Sequence, residues 1–260
     1  MRIRVTHIDT ACFLLELGDF RILTDPVLDQ PGRLYHFGVG TLSKKYSTPT
    51  RTAEQIGPVD LVLLSHDQHE DNLDQGGRKF LGTVKQVLST KPASRRIPGV
   101  TGLDDWDSIS IDSKKVPGLK ITAVPAQHAS LRILSPLAGK VIGFILEWQG
   151  QNGVYYISGD TVMFKGIHEI AKRFPAIDTA FIHTGCAGFP YLTGPIHYTF
   201  HAREAAKAIE LLKPRRAIPV HYDGWWHFRE PLDRARERYV ASGVGGIVQW
   251  LQPGLSTDLQ

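Results

Sequence analysis

The chain has 260 residues, of which 42% are hydrophobic, and its 30 basic and 26 acidic side chains give a formal net charge of +4. This length suffices for one large domain or for two fused halves. The charged residues are spread along the chain without a block of like charges. The small positive surplus therefore favours an anionic substrate only weakly, and it does not indicate a nucleic-acid partner.

Two cysteines, Cys12 and Cys186, are too few for a disulfide framework, and neither belongs to a Cys-x-x-Cys pair. This pattern indicates a reduced, cytoplasmic setting. The chain opens on an alternating strand pattern rather than on the apolar run of a signal peptide. No stretch of about 18 apolar residues follows, so we expect no membrane span. A homo-oligomer stays compatible with these features.

Apolar and polar residues alternate in the first 24 residues, with a hairpin turn pair at Gly18-Asp19. Residues 26–58 then show little periodicity and many Gly, Pro, Thr and Ser residues, which is typical of a lid or a binding loop. In the first half we predict strands at residues 3–7, 11–16, 20–24, 60–65 and 87–90, and a short helix at 74–80.

The second half repeats this series. Thr199 can N-cap a helix that Pro214 ends, and Pro231 begins another helix that Gly243 ends. The two series, about 1–115 and 116–260, predict one unit of two β-rich layers packed face to face with helices outside. The remaining predicted elements are strands at 119–124, 141–148, 154–158, 179–183 and 246–250, and a helix at 164–174.

Four segments each consist of an apolar run that ends in His or Asp, namely residues 63–74, 124–128, 156–160 and 218–221. Because a β-strand delivers a side chain from its end, four such strands in one sheet can converge on one or two divalent metal ions. Neutral imidazole and carboxylate suit zinc best, and manganese or iron are alternatives.

These segments resemble the motifs of the metallo-β-lactamase fold superfamily. The run LLSHDQHEDNLD at residues 63–74 resembles its first metal motif, His-x-His-x-Asp-His at the end of a buried strand. VPAQH at 124–128, SGD at 158–160 and IPVHY at 218–222 match the later landmarks in order, and LTDP at 23–26 resembles a branch that includes sugar-phosphate lactonases and N-acyl-phosphatidylethanolamine-type phospholipases. The resemblance implies an α+β fold, a four-layer αβ/βα sandwich.

The first motif departs from the usual pattern. Aligning Asp71 with the family aspartate puts Asn72 at a usual histidine, whereas aligning His66 with the first histidine puts Gln68 at the second and Glu70 at the aspartate. A one-residue insertion between His66 and Asp71 reconciles the two alignments. We favour it because an irregular loop bulges more easily than a site loses three ligands.

The resemblance implies a ligand set and a mechanism. His66, His69 and His128 would hold one ion, Asp71 and His221 the second, and Asp160 would bridge them. A hydroxide between the ions would be the nucleophile, oriented by Asp71 as the catalytic base. For Asn72, helix capping and metal contact are both open. Further residues proposed to support the ligands or contact substrate are Asp25, Asn72, His183, His197, Trp225 and His227.

The leading hypothesis is a metal-dependent hydrolase that cleaves an ester, lactone or phosphodiester of a small molecule. The alternative is a non-catalytic or single-metal binding protein of the same fold whose first metal motif has decayed. In the predicted lid, Tyr35 and Phe37 would meet an apolar part of the substrate, and Lys44, Lys45 or Arg51 an anionic part.

Overall fold

The computed structural model describes residues 1–38 and 40–259, and two mixed β-sheets pack face to face within them. Both sheets begin with antiparallel strands and continue with parallel ones. The strands are β1 (Ile3–Asp9), β2 (Cys12–Leu17), β3 (Phe20–Thr24), β4 (Leu34–His36), β5 (Leu42–Lys44), β6 (Leu61–Leu63), β7 (Val87–Thr90), β8 (Val100–Leu103), β9 (Ser108–Ser110), β10 (Lys120–Pro125), β11 (Ile142–Glu147), β12 (Val154–Ile157), β13 (Ile177–His183), β14 (Arg216–Val220) and β15 (Ser256–Asp258).

The first sheet has seven strands in the order β15-β1-β2-β3-β6-β7-β8, and the second has six in the order β14-β13-β12-β11-β10-β9, as far as the described residues go. β3 pairs with β6 in parallel, and β12, β13 and β14 also run parallel. Parallel neighbours end at the same edge of a sheet. Side chains that follow these strands are therefore gathered along one edge of the sandwich.

Helices cover the outer faces of both sheets. The helices are α1 (Ala53–Ile56), α2 (Gln75–Leu81), α3 (Lys91–Arg96), α4 (Ser135–Ala138), α5 (Lys165–Arg173), α6 (Pro190–Thr193), α7 (Ala202–Leu212) and α8 (Leu232–Ala241), with short 3-10 turns at Arg132–Leu134 and Gly245–Ile247. α2 packs Phe80 and Leu81 on the seven-stranded sheet, whereas α5, α7 and α8 bury apolar stripes on the six-stranded sheet.

The central core lies between the sheets, where Phe13 of β2 stacks on Phe181 of β13 with ring centroids 4.3 Å apart. Neighbouring Cys12 and Leu14 point to the opposite face of β2 and join the outer core under α2. Successive strand residues face opposite sides, so both faces of this strand are buried. The layers helix, sheet, sheet, helix confirm the predicted four-layer αβ/βα sandwich.

Two local predictions are wrong. Residues 246–250 do not form a strand, because a 3-10 turn at Gly245–Ile247 interrupts them and leaves only a bridge between Val248 and Ala217. The last strand is β15, which returns to pair with β1 in the first sheet. The N-cap of α7 is His201, whose Nδ1 accepts from the backbone of Glu204 at 3.3 Å, while Thr199 bonds to Thr184 instead.

The segment predicted as a lid contains regular secondary structure. β4 and β5 pair in a short hairpin, and α1 begins at the N-cap residue Thr52 with a capping box completed by Gln55. Lys45 ends the hairpin as a fully buried side chain, with Nζ 2.9 Å from an oxygen of Asp9 and 3.5 Å from one of Asp74. The prediction that Lys45 attracts a substrate anion is therefore wrong, because its charge is already neutralised inside the protein.

Candidate metal centre

Three imidazoles meet at the edge of the sandwich. His69 Nδ1 lies 3.2 Å from His66 Nε2 and 2.9 Å from His128 Nε2. His66 and His69 follow β6 of the seven-stranded sheet, and His128 follows β10 of the six-stranded sheet. The prediction that one sheet supplies all four segments is therefore wrong, because the cluster joins the ends of strands from both sheets.

A second cluster lies beside the first and consists of Asp71, Asp160 and His221. His221 Nε2 is 3.2 Å from Asp71 Oδ2 and 3.5 Å from Asp160 Oδ2. Asp160 follows β12 and His221 follows β14, which end at the same edge. The six residues predicted as ligands are thus brought together, in the two groups that the family resemblance implies.

Burial controls the protonation of both clusters. It lowers the pKa of His66, His69 and His128, that of His69 to about 4, because a protonated imidazole is poorly solvated there. Burial also opposes a charge on His221, but the carboxylates of Asp160 and Asp71 outweigh it and raise its pKa to about 9. The first cluster thus offers neutral imidazoles, whereas the carboxylates of the second cluster favour a positive charge on His221.

In three of the four histidines, the ring nitrogen that points away from the clusters has a partner of its own. Nδ1 of His66 lies 2.9 Å from Ser65 Oγ, Nδ1 of His128 is 3.1 Å from the carbonyl of Tyr198, and Nδ1 of His221 is 3.5 Å from that of Thr184. Metal-bound histidines are usually oriented in this way, since the outer nitrogen donates and the inner one keeps a lone pair. The donor set fits a divalent ion by its chemistry.

The backbone is strained at two places beside the clusters. His221 has φ +59° and Asp25 has φ +30°, values that are uncommon for residues with a Cβ atom and cost about 1–3 kcal/mol. Asp25 Oδ1 accepts from the backbone of Ser65 at 2.6 Å and so supports the loop that carries His66. Such strain is concentrated at functional sites, where the surroundings enforce it.

In the first motif, three side chains face the two clusters and two side chains face away. Between the inward-facing His66, His69 and Asp71, the side chain of Asp67 pairs with Arg96, and Gln68 Nε2 donates to the carbonyl of Lys140 at 3.2 Å. Gln68 is thus directed away from the cluster. The geometry agrees with the alignment that takes His66, His69 and Asp71 as the inward residues.

Asn72 is fully buried between the two clusters. Its side-chain amide is within 3.4 Å of an Asp160 oxygen and of Ser65 Oγ, and the flipped amide donates to Asp71 Oδ1 and Asp160 Oδ2, both at 3.2 Å. The cap of α2 is Asp74, whose Oδ1 accepts from Gly77. Capping by Asn72 is therefore excluded, and its amide holds Asp160 in either orientation.

Two further histidines support the carboxylates. His183 Nδ1 lies 3.0 Å from Asp160 Oδ1, and its ring stacks on that of His221 at 5.6 Å. His227 Nε2 lies 2.9 Å from Asp71 Oδ2, and its Nδ1 lies 2.7 Å from Ser43 Oγ on β5. The lid hairpin and the metal centre are thus joined through His227.

An apolar pocket of about 240 Å³ opens onto this centre. Phe37 belongs to its wall as predicted, but Tyr35 and Trp225 do not. Trp225 is fully buried and packs behind the wall, 5.5 Å from the ring of Phe37. The lining residues are Phe37, Gly38, Thr41, His69, Asp71, His128, Leu134, Leu137, Ala138, Asp160, Ala187, Phe189, Leu192, Thr193, Tyr198 and His227.

His197 lies outside the two clusters of the metal centre and outside the apolar pocket. Its Nε2 is 2.9 Å from Glu204 Oε2 at the start of α7, so its side chain belongs to a separate group. The sequence reasoning also missed the pocket residues Leu134, Phe189 and Tyr198. They lie in loops and in a short 3-10 turn, where no periodic pattern marks them.

The chain is similar to known proteins in sequence and in fold. Residues 20–222 match the model of the β-lactamase superfamily domain. A UPF0173 metal-dependent hydrolase of Pyrococcus furiosus is 30% identical over 99% of this chain and 100% of its own length. Related hydrolases of this name occur in several other archaea, among them Pyrococcus abyssi at 28% identity.

Solved structures share the fold. A possible metal-dependent hydrolase from Veillonella parvula superposes with a TM-score of 0.80 at 18% identity, over 99% of both chains. An isothiocyanate hydrolase from Delia radicum gut bacteria superposes with a TM-score of 0.78 at 19% identity, over 98% of both chains. The matched domain spans the clusters from His66 to His221. The chain therefore belongs to the β-lactamase superfamily and is a metal-dependent hydrolase.

Proposed function

We propose that this hydrolase cleaves a neutral ester or lactone whose apolar part occupies the pocket beside the metal centre. The observation that carries the proposal is the pocket lining, which is formed mainly by aliphatic and aromatic side chains and contains no Lys or Arg among the described residues. A phosphodiester would bring a negative charge to a wall with no cationic side chain. The volume of about 240 Å³ is below the range of about 300–1,000 Å³ typical of ligand sites, which favours a small substrate.

We propose the ligand assignment that the family resemblance implies. His66, His69 and His128 would hold one divalent ion, Asp71 and His221 the other, and Asp160 would contact both. Bound ions of this kind lower the pKa of water from about 15.7 to roughly 7 and polarise a carbonyl oxygen. Zinc suits the donor set best, with manganese or iron as alternatives, and a cytoplasmic location stays a prediction.

The protein groups around the centre have separate tasks. Asp71 lies at the pocket wall, where it can orient a water molecule and accept its proton. His227 and His221 both contact Asp71 Oδ2 and keep that oxygen in place. Phe189, 5.2 Å from the ring of His227, closes the apolar side of the site and helps to exclude water. The relatives are named as hydrolases, which favours this function over a non-catalytic binding protein.

A panel of substrates with one leaving group tests the proposal. We expect kcat/KM for 4-nitrophenyl esters to rise from acetate to hexanoate, and bis(4-nitrophenyl) phosphate to react more slowly than the best ester. Alkyl-substituted lactones and an aryl isothiocyanate extend the panel to other neutral electrophiles. A phosphodiester that reacts faster than every ester and lactone would overturn the assignment of a neutral substrate.

Leu134→Gln is expected to lower kcat/KM for the hexanoate ester by about tenfold with little effect on the acetate, because an amide replaces an apolar contact of the longer chain. Leu134 lines the pocket, whereas its neighbour Ile133 is 76% exposed and does not. Ile133→Gln is therefore the matched control. Equal effects of the two variants on both esters would contradict an acyl site in this pocket.

From the position of Asn72 we predict that the two metal sites bind their ions with unequal affinity. An amide that donates to Asp160 leaves the second ion with Asp71, Asp160 and His221, whereas the first has three imidazoles. We expect apoprotein titrated with zinc to load in two steps, with one ion retained through dialysis. Asn72→His should tighten the weaker step, and Asn152→His, at an exposed turn residue, should not. Two equally tight ions in the wild type would contradict this prediction.

A further inference from the structure

A second cavity, of about 230 Å³, lies where the N-termini of α7 and α8 come together. It is separated from the apolar pocket by the chain segment in which Cys186 faces the cavity and Ala187 faces the pocket. We call it the arginine cavity. Its lining residues are Cys186, His201, Arg203, Arg229, Glu230, Pro231, Arg234 and Arg238.

The charges in the arginine cavity do not balance. Four guanidinium groups face one carboxylate, Glu230, and this carboxylate is already used: one oxygen pairs with Arg238 and the other accepts from the backbone of Ala202 at 2.6 Å. Among the described residues, Arg203, Arg229 and Arg234 have no acidic partner, and Arg229 donates only to a backbone carbonyl. Three positive charges therefore converge without a counterion from the protein.

Two of these arginines also occupy unfavourable helix positions. Arg203 is the second residue of α7 and Arg234 is the third residue of α8, so both lie at the positive end of a helix dipole. A cation in the first turn costs about 0.3–1 kcal/mol relative to its favoured place at the other end. The N-terminus of α8 has no side-chain cap at Pro231, which leaves backbone N–H groups without a partner there.

The acidic residues of the same first turns do not correct this imbalance. Glu204 of α7 pairs with His197 at 2.9 Å, and Asp233 of α8 pairs with Arg236 at 3.7 Å. Neither carboxylate lines the arginine cavity. The unpaired positive charge therefore belongs to Arg203, Arg229 and Arg234, which are exposed where they line the cavity.

We propose that the arginine cavity binds a phosphate group, at a site separate from the metal centre. A phosphate carries between one and two negative charges near neutral pH and offers several acceptor oxygens to guanidinium groups, whose planar donors match it in pairs. Uncapped N–H groups at a helix N-terminus add to such a site. A single carboxylate would neutralise only one of the three unpaired charges. The phosphate can come from the inorganic ion or from a small phosphomonoester.

Calorimetric titration of the full-length, metal-loaded protein tests this proposal with inorganic phosphate and with glycerol phosphate as probes. We expect one saturable site, weakened at least about tenfold in the double variant Arg203→Gln/Arg234→Gln, because charged hydrogen bonds are lost. Tighter binding of the ester than of the ion would identify a ligand with an organic part. Arg236→Gln is the matched control, since Arg236 lies on α8 but pairs with Asp233 and does not line the cavity.

Thermal unfolding provides a second readout that separates binding from misfolding. Phosphate should raise the unfolding temperature of the wild type and of Arg236→Gln but not that of the double variant. Without phosphate, the double variant should be at least as stable as the wild type, because two repelling charges are removed. Phosphate bound to the metal ions would be unaffected by the arginine substitutions, so an unchanged affinity in the double variant would overturn the proposal, as would the absence of saturable binding at millimolar phosphate.

Discussion

Hydrolysis is expected to disappear in His128→Ala and in Asp160→Ala, with the fold retained. His128 completes the group of three imidazoles, and Asp160 lies between that group and His221. In the proposed ligand assignment, the loss of His128 would remove a donor from the first ion, and the loss of Asp160 would remove one from both. Since single catalytic groups commonly contribute 10²–10⁴-fold and loss of a metal removes the chemistry itself, we expect rates at the background of the assay.

The measurement combines steady-state rates with the metal content of each purified variant and with its circular dichroism spectrum. His168→Ala is the control, because His168 is an exposed residue of α5 on the outside of the sandwich. Full activity of the His128 or the Asp160 variant, with metal retained, would rule out the ligand set proposed here.

Lys45→Ala is expected to lower the free energy of unfolding by about 3–5 kcal/mol, because it leaves the buried carboxylates of Asp9 and Asp74 without their cation. Lys45 Nζ also donates to the carbonyl of Asp29 at 2.6 Å, so the substitution removes a third contact. Urea unfolding at constant metal concentration measures the difference.

Lys44, which precedes Lys45 in the chain, provides the control. Lys44 Nζ lies 5.5 Å from the ring centre of the exposed Trp226, a contact of modest energy, and Lys44→Ala should change stability by less than about 1 kcal/mol. A Lys45→Ala protein as stable as the Lys44→Ala protein would show that the buried pair contributes little to folding.

The candidate ligands were recognisable from sequence because they follow short apolar runs and because these segments resemble the motifs of a known family. Pairing between strands is not local, so the sequence did not show that His66 and His128 come from different sheets. The strand predicted at 246–250 failed for a related reason: its apolar residues pack against α7 and α8 without a neighbouring strand to pair with along their length. His201 rather than Thr199 caps α7, because the Thr199 hydroxyl donates to the backbone carbonyl of Thr184.

The pocket walls were less accessible to prediction than the metal ligands. Leu134, Phe189 and Tyr198 are brought to the metal centre by loops whose course depends on the whole fold. The burial of Lys45 was also beyond prediction from sequence, because a lysine in a polar loop is normally exposed. Only the positions of Asp9 and Asp74 in space explain why this one is inside.

The division of the candidate ligands between the two sheets has a consequence for stability as well as for catalysis. An ion held by His66 and His69 from one sheet and by His128 from the other would link the two sheets, and it would bind the unfolded chain far less well. At a free metal concentration a hundredfold above its Kd, such an ion would add about 2.7 kcal/mol to the free energy of unfolding. A chelator would then act on this enzyme as a mild denaturant, and its melting temperature would report how much metal the surroundings supply.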